Sequence, residues 1–292
     1  MKVLLCIDIG GTKTAVGIFS EKGSELFYSV IPTEPRLGVA DLIERLKTVI
    51  NVGYGTSDFL CGCIASPGPL DTANGRIIDI ATMGWRDIPL TLLFEEAFKC
   101  SFLLINDCNA GALGVWERYK ADNMLYVSMS TGVGGGLIIG GKLYEGCGNA
   151  AEIGHIRVPG EGRKCSCGRT DCLELYSSGS GISRVYGEKT GKNLSAKEIA
   201  ESAFAKDAIA VELFDDAAEK LNYALLNIDK LLDLDLIVLG GGLTAASDLY
   251  YNNAVKGIEN KTVVLKGDGK QVLRGAFVYI KRFIHKISKK GC

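Results

Sequence analysis

The chain has 292 residues, enough for two medium domains or one large one, and 47% of them are hydrophobic, which argues for a sizeable buried core and against disorder over most of the length. A net charge of -1 gives no electrostatic footing for nucleic acid. No stretch approaches the roughly 18 apolar residues of a membrane span.

The chain opens MKVLLCIDIGG. One Lys precedes a short apolar run, but the run contains Asp8 and ends in glycines rather than in a cleavage site. It reads as a buried strand over 2–9 and not as a signal peptide, so a cytoplasmic protein is expected. Gly10-Gly11 predicts a tight turn into strands at 14–19 and 25–31. Leu42, Leu46 and Val49 recur at helical spacing and predict a helix over 38–50. An apolar strand at 59–65 runs into the turn Ser66-Pro67-Gly68-Pro69. Residues 90–98 read as a helix, 102–105 as a strand running into Asn106-Asp107, and 109–119 as the helix that follows.

The second half starts over. A strand at 124–129 leads into a glycine turn at 131–136 and a returning strand at 137–139. A polar, cysteine-rich stretch covers 145–174. Helical patterns occupy 179–190 and 207–232, a strand at 235–239 leads into Gly240-Gly241-Gly242, and a terminal helix is expected over 271–287. A strand–glycine turn–strand unit therefore occurs twice, at 3–19 and 124–139, with strands before helices in each half. That order predicts two related α/β domains facing each other across a cleft, with no low-complexity linker. The expected boundaries are 1–108 plus about 272–292 for a small N-terminal domain, and 109–271 for a larger C-terminal one that carries the cysteine-rich loop.

The 37 glycines cluster at 10–11, 132–136, 140–141 and 240–242. Clustered glycine marks turns where the backbone approaches something closely. DIGGTK (8–13) and STGVGGG (130–136) could each aim backbone N–H groups at phosphate oxygens, with Thr12, Lys13 and Thr131 adding donors and Asp8 placed to hold Mg²⁺. Neither is a Walker A loop, and neither is a convincing GxGxxG opening a βαβ unit. One such turn alone reads as an ordinary hairpin. Two at the starts of paired halves, with a third at 240–242 suited to a base or ribose, favour a nucleotide held at Gly10, Gly11, Thr131, Gly132, Gly240, Gly241 and Gly242.

Asn106-Asp107 lies after an apolar strand and before a helix. A carboxylate there could take the proton of a substrate hydroxyl while the Asn amide fixes a sugar; taken alone, the pair is more often a helix N-cap. His155, Cys165, Cys167 and Cys172 fall within 18 residues and make a closed Cys₃His set for a structural, tetrahedral Zn²⁺, against the alternative of free thiols. A metal there would pin the loop that carries Glu152 and Glu174, whose carboxylates could accept hydrogen bonds from vicinal hydroxyls. It would also leave one ring nitrogen of His155 free to face a sugar. Cys6, Cys61, Cys63, Cys100, Cys108, Cys147 and Cys292 share no spacing and read as small buried hydrophobes or bystanders, with no disulfide framework in a reducing compartment. His285, among Lys and Arg, is expected to be solvated.

These motifs stand in the order found in the ROK-family sugar kinases. DIGGTK, SPGPLD (66–71), Asn106-Asp107, STGVGGG, ExGH at 152–155, CxCGxxxCxE at 165–174 and VLGGG (238–242) resemble that family over nearly the whole chain, and the ExGH and cysteine motifs are the specific ones. The resemblance implies the actin-like ATPase (ribonuclease H-like) fold, ATP with Mg²⁺, and a C-terminal helix that returns to the first domain. It implies Asp107 as general base toward a sugar hydroxyl, usually O6, with Gly68, Asn106, Glu152, His155 and Glu174 on the sugar. It implies Zn²⁺ at His155, Cys165, Cys167 and Cys172, and commonly a homodimer. The chain departs from the pattern twice. Asp171 stands where the family usually has Gly, which is expected to disturb the turn, and Thr82 or Met83 stands where an Asn often helps contact the sugar.

A glucokinase is the simplest reading, and an N-acetylmannosamine or N-acetylglucosamine kinase the next; a pocket enlarged near Met83 would favour the N-acetyl sugars. A sugar-responsive transcription regulator is the reading from another class. It is expected to carry an N-terminal helix-turn-helix, for which the start of the phosphate motif at Asp8 leaves no room. A zinc-dependent nucleic-acid binder fails on charge.

Overall fold

A computed structural model describes residues 2–55, 58–266 and 269–290, with side chains as far as residue 285. Cys292 and the end of the terminal segment lie outside the described residues. The chain divides into two compact units. Unit one holds the described residues of Met1–Tyr119, Glu145–Asn149 and Lys270–Cys292, and unit two holds those of Lys120–Tyr144 and Ala150–Gly269.

Unit one is built on five strands. β1 (Val3–Ile9) forms antiparallel pairs with β2 (Lys13–Ser20), which pairs in turn with β3 (Glu25–Pro32). Helix α1 (Gly38–Gly53) then leads to β4 (Phe59–Ser66), which lies parallel to β1 on its other side. β1 alternates with period two. Val3, Leu5, Ile7 and Ile9 enter a core with Leu42, Ile43, Leu46 and Ile50 of α1, while Leu4, Cys6 and Asp8 point to the opposite face. After β4 a small antiparallel sheet forms from β5 (Leu70–Asp71), β6 (Arg76–Ile80) and β7 (Trp85–Ile88). Ile77, Ile80, Met83 and Trp85 fold back into the same core. Helix α2 (Leu90–Phe98) leads to β8 (Phe102–Asn106), parallel to β4, and α3 (Asp107–Tyr119) follows without a break. The sheet order is β3-β2-β1-β4-β8.

Unit two repeats the plan. β9 (Met124–Met129), β10 (Val133–Ile139) and β11 (Lys142–Tyr144) form an antiparallel meander. Helices α4 (Glu174–Ser177), α5 (Gly179–Thr190), α6 (Ala196–Phe204) and α7 (Ala208–Leu232) precede β12 (Leu236–Gly240), which is parallel to β9. After α8 (Tyr251–Ala254), β13 (Thr262–Val264) closes the order β11-β10-β9-β12-β13. The final helix, α9 (Gln271–Lys290), belongs to unit one and crosses α3 at backbone contact. Gly114 faces the Gln271 carbonyl and Gly275 faces that of Ala110, with no room for a Cβ at either.

One expectation changes, and two observations add to the rest. The second glycine turn is shorter than 131–136, because β10 already begins at Val133 and Gly134–Gly136 pair with β9. A side chain at Gly135 would lie 2.6 Å from the Ala151 carbonyl, so that glycine serves packing. Met83 is buried in the core of unit one, while Thr82 beside it is exposed. Helix α6 goes unpredicted although Ser195 and Glu198 form a reciprocal capping box, a pattern visible as S-x-x-E.

Candidate active site and metal centre

In unit one, the C-terminal ends of three parallel strands gather candidate site residues. Asp8 of β1 pairs with Ala65 of β4, and Ser66 of β4 pairs with Asn106 of β8, so Asp8, Ser66 and Asn106-Asp107 share one sheet edge. Ligands of α/β sheets bind at such edges. The cap reading holds for Asn106. The Asn106 side-chain oxygen accepts from the backbone N–H groups of Cys108 (2.9 Å) and Asn109 (3.1 Å), which caps α3. That leaves its amide nitrogen, which lies on the side of Gly68, 3.8 Å from where a Cβ there would stand. Asp107 accepts from the Cys108 N–H at 2.8 Å. It is half-buried, and burial pushes its carboxyl above the usual range. Burial, and then the Asp107 charge, pushes Asp8 up to about 7.

The turn after β1 is pinned from below. The Gly10 N–H donates to the Lys13 carbonyl (3.0 Å), and the buried Thr33 hydroxyl donates to the Gly10 carbonyl (2.6 Å). Gly11, Thr12 and Lys13 are exposed, and Gly11 has nothing within 4 Å of an added Cβ. In unit two, Thr131 is exposed and its carbonyl accepts from the Ser180 hydroxyl (2.7 Å) and N–H (3.1 Å). The Glu174 carboxylate accepts from the Val133 N–H at 3.3 Å and lies 2.5 Å from where a Cβ on Gly132 would stand. Of the third turn, Gly240 packs on the Tyr126 ring and Gly241, at φ +89°, on the Met129 backbone, so close approach explains both. Gly242 is exposed, and a Cβ there would meet only the Ser130 hydroxyl, at 3.8 Å.

His155, Cys165, Cys167 and Cys172 come together in unit two with their ligand atoms all within 4.8 Å of one another. The Cys165 sulfur lies 3.7 Å from His155 Nδ1 and the Cys167 and Cys172 sulfurs are 3.5 Å apart. Bonds of about 2.3 Å to sulfur and about 2.0 Å to nitrogen give tetrahedral edges of roughly 3.5–3.8 Å, so the donor set and its spacing fit zinc. His155 presents Nδ1 to the cluster, which leaves Nε2 on its other side. Hydrogen bonding from the Arg169 backbone, above all, holds the Cys167 thiol below its usual range, toward the thiolate that binds metals, whereas burial pushes Cys172 up to about 12. Glu152 is exposed just before the short 3₁₀ helix Ile153–His155, and Glu174 is half-buried at the start of α4.

Asp171 does not disturb its turn. It takes the left-handed conformation that a glycine would, at φ +55°, and its buried carboxylate is bonded on several sides. The Tyr176 hydroxyl, first, and then the Arg163 and Gly162 N–H groups hold it below the usual carboxylate range. The sequence reading missed this role, along with the braces at Thr33, Ser180 and Glu174. Cys6 and Cys63 are buried, Cys61, Cys100 and Cys108 half-buried, Cys147 exposed, and His285 exposed on α9.

The ROK family model matches residues 4–275. A glucokinase of Halalkalibacterium halodurans is 33% identical over 268 residues, which cover 83% of this chain and 81% of that one. An N-acetylmannosamine kinase of Yersinia pestis is 34% identical over 250 residues, 83% of each. The crystal structure of a ROK family glucokinase from Streptomyces griseus in complex with glucose and AMPPNP matches with a TM-score of 0.79 and 26% identity over 95% of this chain and 98% of that one. The chain belongs to the ROK family, and its mixed sheets form the actin-like ATPase fold. Among the described residues, no helix is long and apolar enough to cross a membrane.

Proposed function

We propose that this protein is an ATP-dependent sugar kinase that transfers the γ-phosphate to a hexose hydroxyl, O6 by preference, with glucose as the first substrate. N-acetylmannosamine or N-acetylglucosamine is the alternative. The observation that carries this reading is the half-buried, proton-attracting Asp107 beside Asn106 at a sheet edge, in a chain whose relatives include a glucokinase and an N-acetylmannosamine kinase. Asp107 removes the hydroxyl proton as the sugar oxygen bonds to the γ-phosphorus, and the bond from that phosphorus to ADP breaks. Gly68, Asn106, Glu152, His155 and Glu174 bind the sugar.

Asp8, Gly10, Gly11, Thr12 and Lys13 of unit one, with Thr131, Gly132 and Gly240–Gly242 of unit two, serve the nucleotide. Asp8 would hold Mg²⁺, which neutralises phosphate charge when bound. The Cys₃His set would hold a structural Zn²⁺ that fixes the loop bearing Glu152 and Glu174. An ATP donor and three reduced ligand thiols suit the cytoplasm, and family likeness favours a homodimer, which light scattering tests. An ADP-release assay across glucose, mannose, fructose, N-acetylmannosamine, N-acetylglucosamine and a β-glucoside tests the function. Turnover on one of these supports it; none on any, with ATP bound, refutes it.

A further inference from the structure

The metal loop has a second organising centre besides its four ligands. Two isolated bridges, Arg157 with Cys172 and Lys164 with Thr170, fold residues 157–172 into two arms. His155 leads into the first arm, Cys165 and Cys167 sit at the connection, and Cys172 ends the second. Asp171 ties the arms together with both its backbone and its side chain. Its N–H donates to the Arg163 carbonyl (2.8 Å), and its carbonyl accepts from the Val158 N–H (2.9 Å). Its Oδ1 accepts from the N–H groups of Gly162 and Arg163, both at 2.9 Å, and from the Tyr176 hydroxyl at 2.7 Å. Arg157 stands 3.8 Å from Oδ2. Tyr176 lies on α4, in the core of unit two, so the carboxylate also fastens the loop to that core.

A buried carboxylate is costly unless donors satisfy it. Here three donors converge on one oxygen, two of them backbone groups from a stretch that is otherwise exposed. None of these bonds involves a metal ligand atom. The loop therefore has a reason to keep its shape with no ion bound, and a ligand set already in place loses less freedom when an ion arrives.

We infer that Asp171 is a positioning residue that preorganises the Cys₃His set before metal binds. This rests on the metal reading of the loop proposed above. Asp171→Gly keeps the backbone conformation and removes the carboxylate; Asp171→Asn keeps an acceptor oxygen and tolerates the same φ. The full-length protein is stripped with a chelator and titrated with Co²⁺, whose absorption reports tetrahedral sulfur ligation, and then with Zn²⁺ in competition. The expected result is a loss of about tenfold or more in affinity for Asp171→Gly, with the parent's spectrum at saturation, and recovery to within a few-fold of the parent in Asp171→Asn. Metal-free parent protein should also protect the Gly162 and Arg163 amides from exchange, and Asp171→Gly should not.

Parent-like affinity in Asp171→Gly, or unprotected amides in the metal-free parent, overturns the inference while leaving the metal site standing. A parent that gives no tetrahedral Co²⁺ spectrum overturns the metal site itself, and the inference with it. Should Asp171→Gly not fold, Tyr176→Phe carries the test: a smaller but measurable loss of affinity supports the inference, and unchanged affinity overturns it.

Discussion

The two units share one strand plan and differ in what stands at the ends of the strands. Each has an antiparallel meander whose first strand lies parallel to a later one, so β1, β2, β3, β4 and β8 answer to β9, β10, β11, β12 and β13. Asp8 pairs with Ala15 and Ala65; the same place in unit two is Ser128, paired with Gly134 and Gly240. Unit one therefore brings carboxylates to its sheet edge, and unit two brings a hydroxyl and bare backbone. Between third and fourth strands, unit one inserts essentially one helix, whereas unit two inserts the cysteine-rich loop and four helices. A duplicated backbone thus puts strand ends at matching places, and side chains and insertions distinguish the halves: the proposed division is acid–base chemistry in unit one and ligand fixing in unit two.

The sharpest way to break that division is at Asp107. Asp107→Asn should lower kcat about 10³-fold with sugar affinity nearly unchanged, because proton removal is lost while the cap from Asn106 remains. Steady-state turnover and calorimetric sugar binding read the two separately. Ser128→Ala in unit two should cost less than about tenfold, and equal losses would end the proposed division. The next largest effect belongs to unit two. Cys167→Ser should abolish bound zinc by elemental analysis and raise the sugar KM about tenfold or more, since the metal would no longer hold His155 and the loop that bears Glu152 and Glu174 in place. Amide protection in α3 and α9 should not change. Full zinc content in that variant would sink the metal assignment.

Much of this comparison was legible in the sequence. Hydrophobic runs and glycine placed β1, β2, β4, β8 and β9 within a residue or so, and the repeat of strand–turn–strand announced two related halves. The clustering of His155, Cys165, Cys167 and Cys172 was readable from spacing, because those residue types rarely gather by chance. The small strands β5–β7 and β13 were not, being two to five residues long with little alternation. Nor was the role of individual glycines. Gly240 and Gly11 look alike in sequence, yet one is pressed against Tyr126 and the other faces open space. Asp171 was misread because its partners, Gly162, Arg163 and Tyr176, are brought to it only by the folded loop.

Stability against pH sharpens the contrast further. The Asp8 carboxyl, ordinarily near 3.8, is pushed up to about 7 in the fold. Between those values the unfolded chain has released this proton and the folded chain has kept it. Raising the pH through that window therefore favours unfolding, and the loss is complete above about 7. At roughly 1.4 kcal/mol per unit of displacement, the effect is a few kcal/mol at most. Metal-free Asp8→Asn should be more stable than the parent at pH 8 and nearly equal to it at pH 4, by urea unfolding. An advantage that is the same at both pH values would show that Asp8 is not the group responsible.

The smallest expected change in stability is the one that separates a glycine kept for packing from one kept for a ligand. Gly241→Ala drives a Cβ into the Met129 backbone at a positive φ, and should cost about 1–3 kcal/mol by overpacking and strain. Gly11→Ala meets nothing within 4 Å and needs no unusual φ, so its melting temperature should stay near that of the parent, within about 0.5 kcal/mol. If phosphate lies against this turn, the added methyl group stands where the phosphate oxygens approach, and the KM for ATP should rise several-fold while that for sugar does not. A methyl group on Gly11 that leaves both stability and the ATP KM untouched would remove the unit-one turn from the nucleotide site. Unit two would then hold the only phosphate turn assigned to the chain, and the duplication would describe its folding rather than its chemistry.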